Sequence, residues 1–300
     1  MQLPPKNYKG IYFMVLAALA FSVMGGFVKE LRTSFNTPQL VFYRNLVGAV
    51  FLSFSLARYP VTQSGGKFGL LLSRGFMGTI ALYTLLYLIL HIPLGAAMTY
   101  NTMNTFIIAL LSWWLYKEKL TPIAWLCIVV GFGGILLIYP PSMDFGWKFH
   151  LVGFSHAIVS ALSYLLIGTL NKYYDSRIIV LSFLLNGMLL PLLMMTIRWV
   201  FNISPDDFFF PLFALPKGSD WLLLAGLGFS ALFGQYFVTK AYSNDKAGIV
   251  AAIGFSNIVF GMIIGILLGD LFPDSIAIAG AMLVIAAGVT ISLSKDRNSN

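Results

Sequence analysis

Residues 94–138 read LGAAMTYNTMNTFIIALLSWWLYKEKL and then TPIAWLCIVVGFGGILLI, two apolar runs parted by the charged break Lys117-Glu118-Lys119. Residues 247–293 say nearly the same thing: AGIVAAIGFSNIVFGMIIGILLGDLF, then PDSIAIAGAMLVIAAGVTISL. Sliding one onto the other by roughly 153 positions sets Gly95 on Gly248 and Tyr83 on Tyr236. The same shift brings Glu118 beside Asp270 and Gly134 close to Gly288, with a small indel after the acid. Internal self-similarity of this kind reads as a duplication.

Composition places the chain in lipid. Of its 300 residues 58% are apolar and 10% charged, and the mean hydropathy is +0.84. A soluble domain carries about 25% charge, so too few charged groups exist to cover a water-facing surface. The net charge of +8 would suggest nucleic acid in a soluble protein; here its distribution along the chain matters more, and no nucleic-acid partner is expected. The single Cys127 excludes an internal disulfide and any cysteine-based metal site. It lies in an apolar run and reads as a small buried residue.

A spanning helix needs about 20 mostly apolar residues. Ten such runs occur, at about 11–28, 40–57, 68–90, 94–116, 122–139, 151–170, 178–200, 221–238, 248–268 and 275–293. Ala18-Leu19-Ala20 has the look of a signal-peptidase site, but apolar sequence continues past it to Val28, which favours a retained span. Residues 75–116 contain no Lys, Arg, Asp or Glu and are too long for one crossing. His91-Ile92-Pro93 supplies the break, because proline pushes the residue before it towards extended geometry. The longest connection, 202–220, holds Pro205, Pro211 and Pro216 and predicts a short interfacial segment.

Five spans per copy is an odd number, so the second copy enters from the opposite side. The expected fold is an all-α membrane protein of ten transmembrane helices in two inverted five-helix repeats, residues 1–141 and 142–300. With the N-terminus inside, the inside segments hold Lys6, Lys9, Arg58, Lys67, Arg74, Lys117, Lys119, Lys172, Arg177, Lys240, Lys246, Lys295 and Arg297. The outside segments hold only Lys29, Arg32, Lys148, Arg198 and Lys217. The excess of basic residues places both termini in the cytoplasm of a bacterial inner membrane.

Arg44 in the second span, Arg74-Gly75 opening the third, and Ile92-Pro93-Leu94-Gly95-Ala96-Ala97 entering the fourth form an ordered set. Lys117-Glu118-Lys119-Leu120-Thr121, Gly131-Phe132-Gly133-Gly134, and Asp270 with Gly280 and Gly288 complete it. With the duplication, the set resembles the EamA-type family of the drug/metabolite transporter superfamily over about residues 8–293. The resemblance implies a ten-helix secondary transporter that moves a small metabolite or amphipathic compound by alternating access. Members often carry a proline about thirteen residues before the acid of spans four and nine. Thr105 and Asn257 stand there instead, which puts a sharp mid-helix break in doubt.

Polar groups inside a lipid-spanning helix ask for a reason. Arg44 has two readings, a cavity or packing role and snorkelling of its long stem to the outer surface. Arg74, equally shallow from the other side, reads as an interface anchor. Both facing inward would favour a carboxylate or phosphate substrate. Span four carries the densest polar set, Thr99, Tyr100, Asn101, Thr102, Asn104 and Thr105. One or two would suffice for interhelical hydrogen bonds; this many at one depth point to a water-lined cavity. The candidate cavity residues are Arg44, Tyr83, Tyr100, Asn101, Asn104, Thr105, Ser163, Gln235, Tyr236, Ser256 and Asn257, with Tyr83 and Tyr236 flanking it as repeat mates. His156 could couple transport to protons, or be held in an interhelical hydrogen bond.

Trp113, Trp114 and Tyr116 read as an interfacial aromatic belt. The Gly261–Gly265 spacing reads as a close helix contact within the chain. Glu118 and Asp270, at helix ends, read as end caps or salt-bridge partners, and Asp206-Asp207 reads as a solvated turn. No G-x-x-x-x-G-K-[ST], H-E-x-x-H or G-x-S-x-G pattern occurs, so ATP-driven pumping by this chain is excluded and no metal or other cofactor is implied. The expected function is secondary active transport, not catalysis. A membrane-embedded enzyme, a non-transporting receptor and a channel are the alternatives. The expected partners are a small-molecule substrate, the lipid bilayer and a coupling proton or counter-substrate, for a monomer or homodimer.

Overall fold

The computed structural model describes residues 8–61, 65–92, 94–115, 117, 120–138, 146–204, 210, 212–269 and 272–296, without the side chains of 94–96, 98 and 292–296. Pro93, Tyr116, Glu118, Asp206, Asp207 and Asp270 therefore lie outside the described residues, and so do the roles expected of them. The described residues form helices only: α1 Lys9–Leu31, α2 Thr37–Arg58, α3 Phe68–His91, α4 Leu94–Leu115, α5 Pro122–Ile138, α6 Trp147–Leu170, α7 Ser176–Phe201, α8 Asp220–Asn244, α9 Ala247–Ile253, α10 Ser256–Leu267 and α11 Ser275–Asp296.

Local chemistry sets several helix ends. Asn36 caps α2, its side chain accepting from Gln39 N–H at 3.2 Å, with Pro38 in the first turn, where proline loses no helical hydrogen bond. Asp175 caps α7 by accepting from Arg177 N–H at 2.8 Å and pairs with Arg177 Nε at 3.2 Å. Helix α3 stops at Ile92, which is extended (φ −126°, ψ 161°) ahead of Pro93, the geometry a proline favours in the residue before it. The described part of the connection between α7 and α8 contains no helix. Instead its backbone is tied to the start of α2, Leu212 and Ala214 carbonyls accepting from Asn36 Nδ2 at 2.9 Å and Gln39 Nε2 at 3.0 Å.

The ninth span is not one helix. It breaks at Gly254-Phe255 between α9 and α10. Gly254 N–H reaches the Val250 and Ala251 carbonyls at 3.1 and 3.0 Å, Phe255 N–H reaches Ala252 at 3.3 Å, and Asn257 N–H reaches Gly254 at 3.1 Å. Three-residue bonds of this kind tighten the coil and interrupt the α ladder. No proline is involved. A Cβ at Gly254 would lie 2.6 Å from Met14 Cε and 2.9 Å from the Ala251 carbonyl, so glycine lets α1 pass close to the break. The ninth span therefore breaks without the proline.

Helix α1 packs on α8, and α3 on α6; α2 packs on α7, and α5 on α11. Helix α4 lies against α6 and α9, α10 against α1, α3 against α7, and α2 against α8. Outside this bundle the surface stays apolar: Val50, Phe54, Leu126 and Leu222 are 62–77% exposed. Water would not tolerate so continuous an apolar mantle. Seven described helical spans, α9 and α10 counted together, are long and apolar enough to cross a membrane, and α5 and α11 are shorter apolar helices. The chain is a multi-pass membrane protein. Trp113 and Trp114 are exposed at the end of α4 and Cys127 is buried, as expected.

Candidate functional site

A cavity of about 150 Å³ lies inside the bundle, with walls from α1, α2, α3, α4, α6, α7, α8 and α10. Helix α3 presents Arg74, Gly78, Ala81, Leu82, Leu85 and Ile89 to it, a spacing that keeps one face of a helix turned inward. Four glycines are among the upper wall residues, Gly25 and Gly26 of α1 with Gly261 and Gly265 of α10. A Cβ on Gly261 would touch nothing within 4 Å. Gly261 therefore opens onto the cavity, while α1 and α10 pack on each other around Gly26, where a Cβ would lie 3.1 Å from Leu268 and 3.2 Å from Ile264.

The floor is polar. Arg44 (α2) and Arg74 (α3) are 2% and 1% exposed and converge on Phe183 from α7, their Cζ atoms 5.6 and 5.1 Å from its ring centre. Arg74 also lies 6.0 Å from the Tyr164 ring centre. Arg44 donates from Nη1 to Asn45 Oδ1 at 2.7 Å and from Nε to Met24 Sδ at 3.3 Å. Arg74 Nε and Nη1 are buried and without a hydrogen-bond partner, as is Gln235 Nε2. Gly78, one turn after Arg74, leaves space for that guanidinium; a Cβ there would run into Arg74 Nη1 and Phe183.

Around the floor the hydroxyls and amides are mutually engaged. Ser163 Oγ donates to the Arg74 carbonyl at 3.3 Å. His156 is 1% exposed, its Nδ1 2.8 Å from the Ala81 carbonyl and its Nε2 3.1 Å from Asn101 Oδ1. A neutral ring donating from Nδ1 needs a donor opposite Nε2, which the Asn101 amide supplies once its O and N are exchanged. Ser22 of α1 reaches across to the break, 2.8 Å from the Asn257 carbonyl and 2.5 Å from its Oδ1.

Two further cavities adjoin the first. The second is walled by Asn101, Thr102, Asn104, Thr105 and Asn257 together with Tyr164 and Tyr242. There Asn104 Nδ2 donates to Ser160 Oγ at 3.0 Å and Thr105 Oγ1 to the Ala251 carbonyl at 3.3 Å. The third lies at the end of the bundle where α6 and α8 finish and α9 begins, between Gly168, Lys172, Asp245, Tyr164 and Tyr242. Tyr164 borders all three spaces. It stacks on Tyr242, ring centres 5.3 Å apart and planes 14° from parallel.

Sequence comparison sets this geometry in context. A sequence model described as the EamA-like transporter family matches residues 8–139. A protein of Helicobacter pylori (strain J99) named as an uncharacterized transporter is 32% identical over 95% of this chain and 94% of its own length. The chain belongs to the EamA-like transporter family. Another similar protein is the pseudopaline exporter of Pseudomonas aeruginosa, 31% identical over 95% of this chain and 96% of its own. The S-adenosylmethionine uptake transporter of Rickettsia prowazekii is 24% identical over 98% and 96%. A solved crystal structure superposes with TM-score 0.72, covering 98% of each chain at 16% identity. That likeness speaks for the fold alone.

Against this EamA-like frame the candidate residues divide. Arg44, Asn101, His156, Ser163, Gln235 and Asn257 line the main cavity, and Asn104 and Thr105 line the second. Tyr83, Tyr100, Tyr236 and Ser256 line neither. Tyr83 is packed in the apolar core beside α1, α2 and α7. Tyr100 faces α6, its hydroxyl on His150 and its ring 6.0 Å from Phe154. Tyr236 lies under Lys240, and Ser256 turns back to the Ile253 carbonyl at 2.8 Å. Tyr83 and Tyr236 follow Leu82 and Gln235 by one residue, about 100° around a 3.6-residue turn, and that rotation carries them off the cavity. Arg74, read as an interface anchor, is instead a floor residue. Ser22, Ser160, Phe183 and the four wall glycines also line the cavity and are not marked as such by the sequence pattern. Arg74 followed four residues later by Gly78 was the signal in the sequence.

Proposed function

We propose that this EamA-like protein is a secondary active transporter of a small metabolite in a bacterial inner membrane, working by alternating access, with both termini cytoplasmic. The observation that carries it is a polar-floored cavity within the membrane-spanning bundle, walled by helices of both halves. The Tyr164–Tyr242 stack lies between the adjoining second cavity and a vestibule at one end, and Tyr164 also borders the main cavity. Two inverted repeats, 1–141 and 142–300, are supported by the packing: exchanging the halves turns the α1–α8 contact into α6–α3, α4–α6 into the ninth span against α1, and α3–α7 into α8–α2, and each such contact occurs. On this reading the N-terminal end is cytoplasmic and the aromatic stack is the shut inner passage. A membrane enzyme would need convergent titratable groups, whereas the floor offers guanidiniums and one histidine bonded at both nitrogens.

Counterflow tests it. Proteoliposomes holding unlabelled S-adenosylmethionine, amino acids or organic anions are diluted into trace labelled compound. A carrier concentrates label transiently inside. Uptake no faster than protein-free liposomes for every compound, or chemical turnover of the label, would refute the proposal.

A further inference from the structure

The geometry points to an oxyanion-binding floor: Arg44 and Arg74 hold a carboxylate or phosphate group of the transported compound, with its apolar body lying along the upper wall. This rests on the reading of the cavity as the substrate site and names the chemistry the site accepts.

Three observations converge. First, among the described residues the charged side chains lining the cavity are Lys29, Arg44 and Arg74, all cationic, with no carboxylate. Second, neither buried arginine is paired with a carboxylate there. Arg44 is engaged by a thioether and an amide oxygen, and Arg74 by aromatic faces. Ring faces offset part of the cost of a buried cation, but a guanidinium in a low-dielectric interior remains expensive without a counter-charge. Third, the unpartnered buried groups at this floor, Arg74 Nε, Arg74 Nη1 and Gln235 Nε2, are all donors. A ligand that completes them must be an acceptor. An ammonium head would leave every donor unmet and add like charge. A guanidinium fork matches a carboxylate or phosphate edge with two parallel hydrogen bonds.

The rest of the cavity sets the body of that ligand. Above the floor the wall is Val28, Leu82, Leu85, Ile258, Ile264 and Leu268, with Gly25, Gly26, Gly261 and Gly265 among them. A compound with one anionic end and a flat apolar body fits both parts. Both arginines belong to the first half of the chain, while the second half brings Phe183 and Gln235.

The test is thermal denaturation of the full chain purified in nonionic detergent, with millimolar phenylacetate, phenyl phosphate, phenethylamine or benzyl alcohol. At least one oxyanion raises the melting temperature in a saturable way, and which of the two does so tells carboxylate from phosphate; the amine and the alcohol do not. Arg74→Gln weakens that oxyanion on the order of 10- to 100-fold, the range for hydrogen bonds to a charged group. Arg74→Lys, which keeps charge but loses the fork, falls between, and carries the test if the glutamine variant elutes as aggregate. Stabilisation by the amine or alcohol equal to that by the oxyanions, no shift from either oxyanion, or unchanged affinity in both Arg74 variants would overturn the inference. Oxyanion binding without counterflow of any compound would sink the transporter reading alone. Counterflow confined to cationic or neutral compounds would sink this inference alone.

Discussion

Replacing Tyr242 by alanine removes half of the aromatic stack between the second cavity and the vestibule at the end of α6 and α8. Tyr242 is 6% exposed, and its ring lies nearly parallel to Tyr164 at 5.3 Å. Such a pair contributes about 0.5–1.5 kcal/mol beyond the area it buries. If the stack exists only while this end is shut, its loss multiplies the population open here by roughly 2- to 13-fold, from the Boltzmann factor of that energy. The assay is thiol labelling. In a Cys127→Ser background, Ser163→Cys places a reporter on the cavity floor, and a membrane-impermeant maleimide is applied to each face in sided vesicles. The rate from the face nearest the α6 and α8 ends should rise by that factor in Tyr242→Ala and stay at the parent value in Tyr242→Phe, which keeps the ring. Melting temperature is followed alongside, because truncating a buried aromatic costs about 3–5 kcal/mol. Equal labelling of parent and Tyr242→Ala from that face refutes the gate. So does equal acceleration by the phenylalanine variant.

Gly78→Ala puts a methyl group where Arg74 Nη1 and Phe183 already sit, the latter 2.7 Å away. Overpacking of this kind costs about 1–3 kcal/mol, so a lower melting temperature with weaker binding is expected; a neutral result in both measurements would show that the guanidinium is freely displaced. Asn36→Ala removes the α2 cap and the amide bond to the Leu212 carbonyl. It should lower stability by about 0.5–2 kcal/mol and leave counterflow kinetics unchanged, since the site lies elsewhere.

The helices were legible because lipid demands long apolar runs, and hydropathy alone marks them. The end of α3 was legible because proline acts on its neighbour through sterics. The floor was legible only in part. Depth can be counted along a span, and Asn101, Ser163 and Gln235 were placed by depth. Rotation about the axis cannot be counted in a helix that is apolar all round, and so Tyr83 and Tyr236, one residue away from true lining positions, were misplaced. Arg74 was misread for the same reason: six residues from the start of α3, it has the depth of an interface anchor, and the helix turns it inward. A break in the ninth span was left in doubt by the missing proline; it occurs at Gly254-Phe255, through backbone hydrogen bonds that hydropathy does not mark.

That break divides one membrane crossing into two rods with different loyalties. The lower rod, α9, rests chiefly on α4, and the upper rod, α10, chiefly on α1. A tilt of α10 can follow α1 without dragging α9 from its bed. The joint between them holds Asn257 at the edge of the main cavity, tethered to Ser22, so whatever occupies that chamber sits at the elbow of a crossing already built to bend.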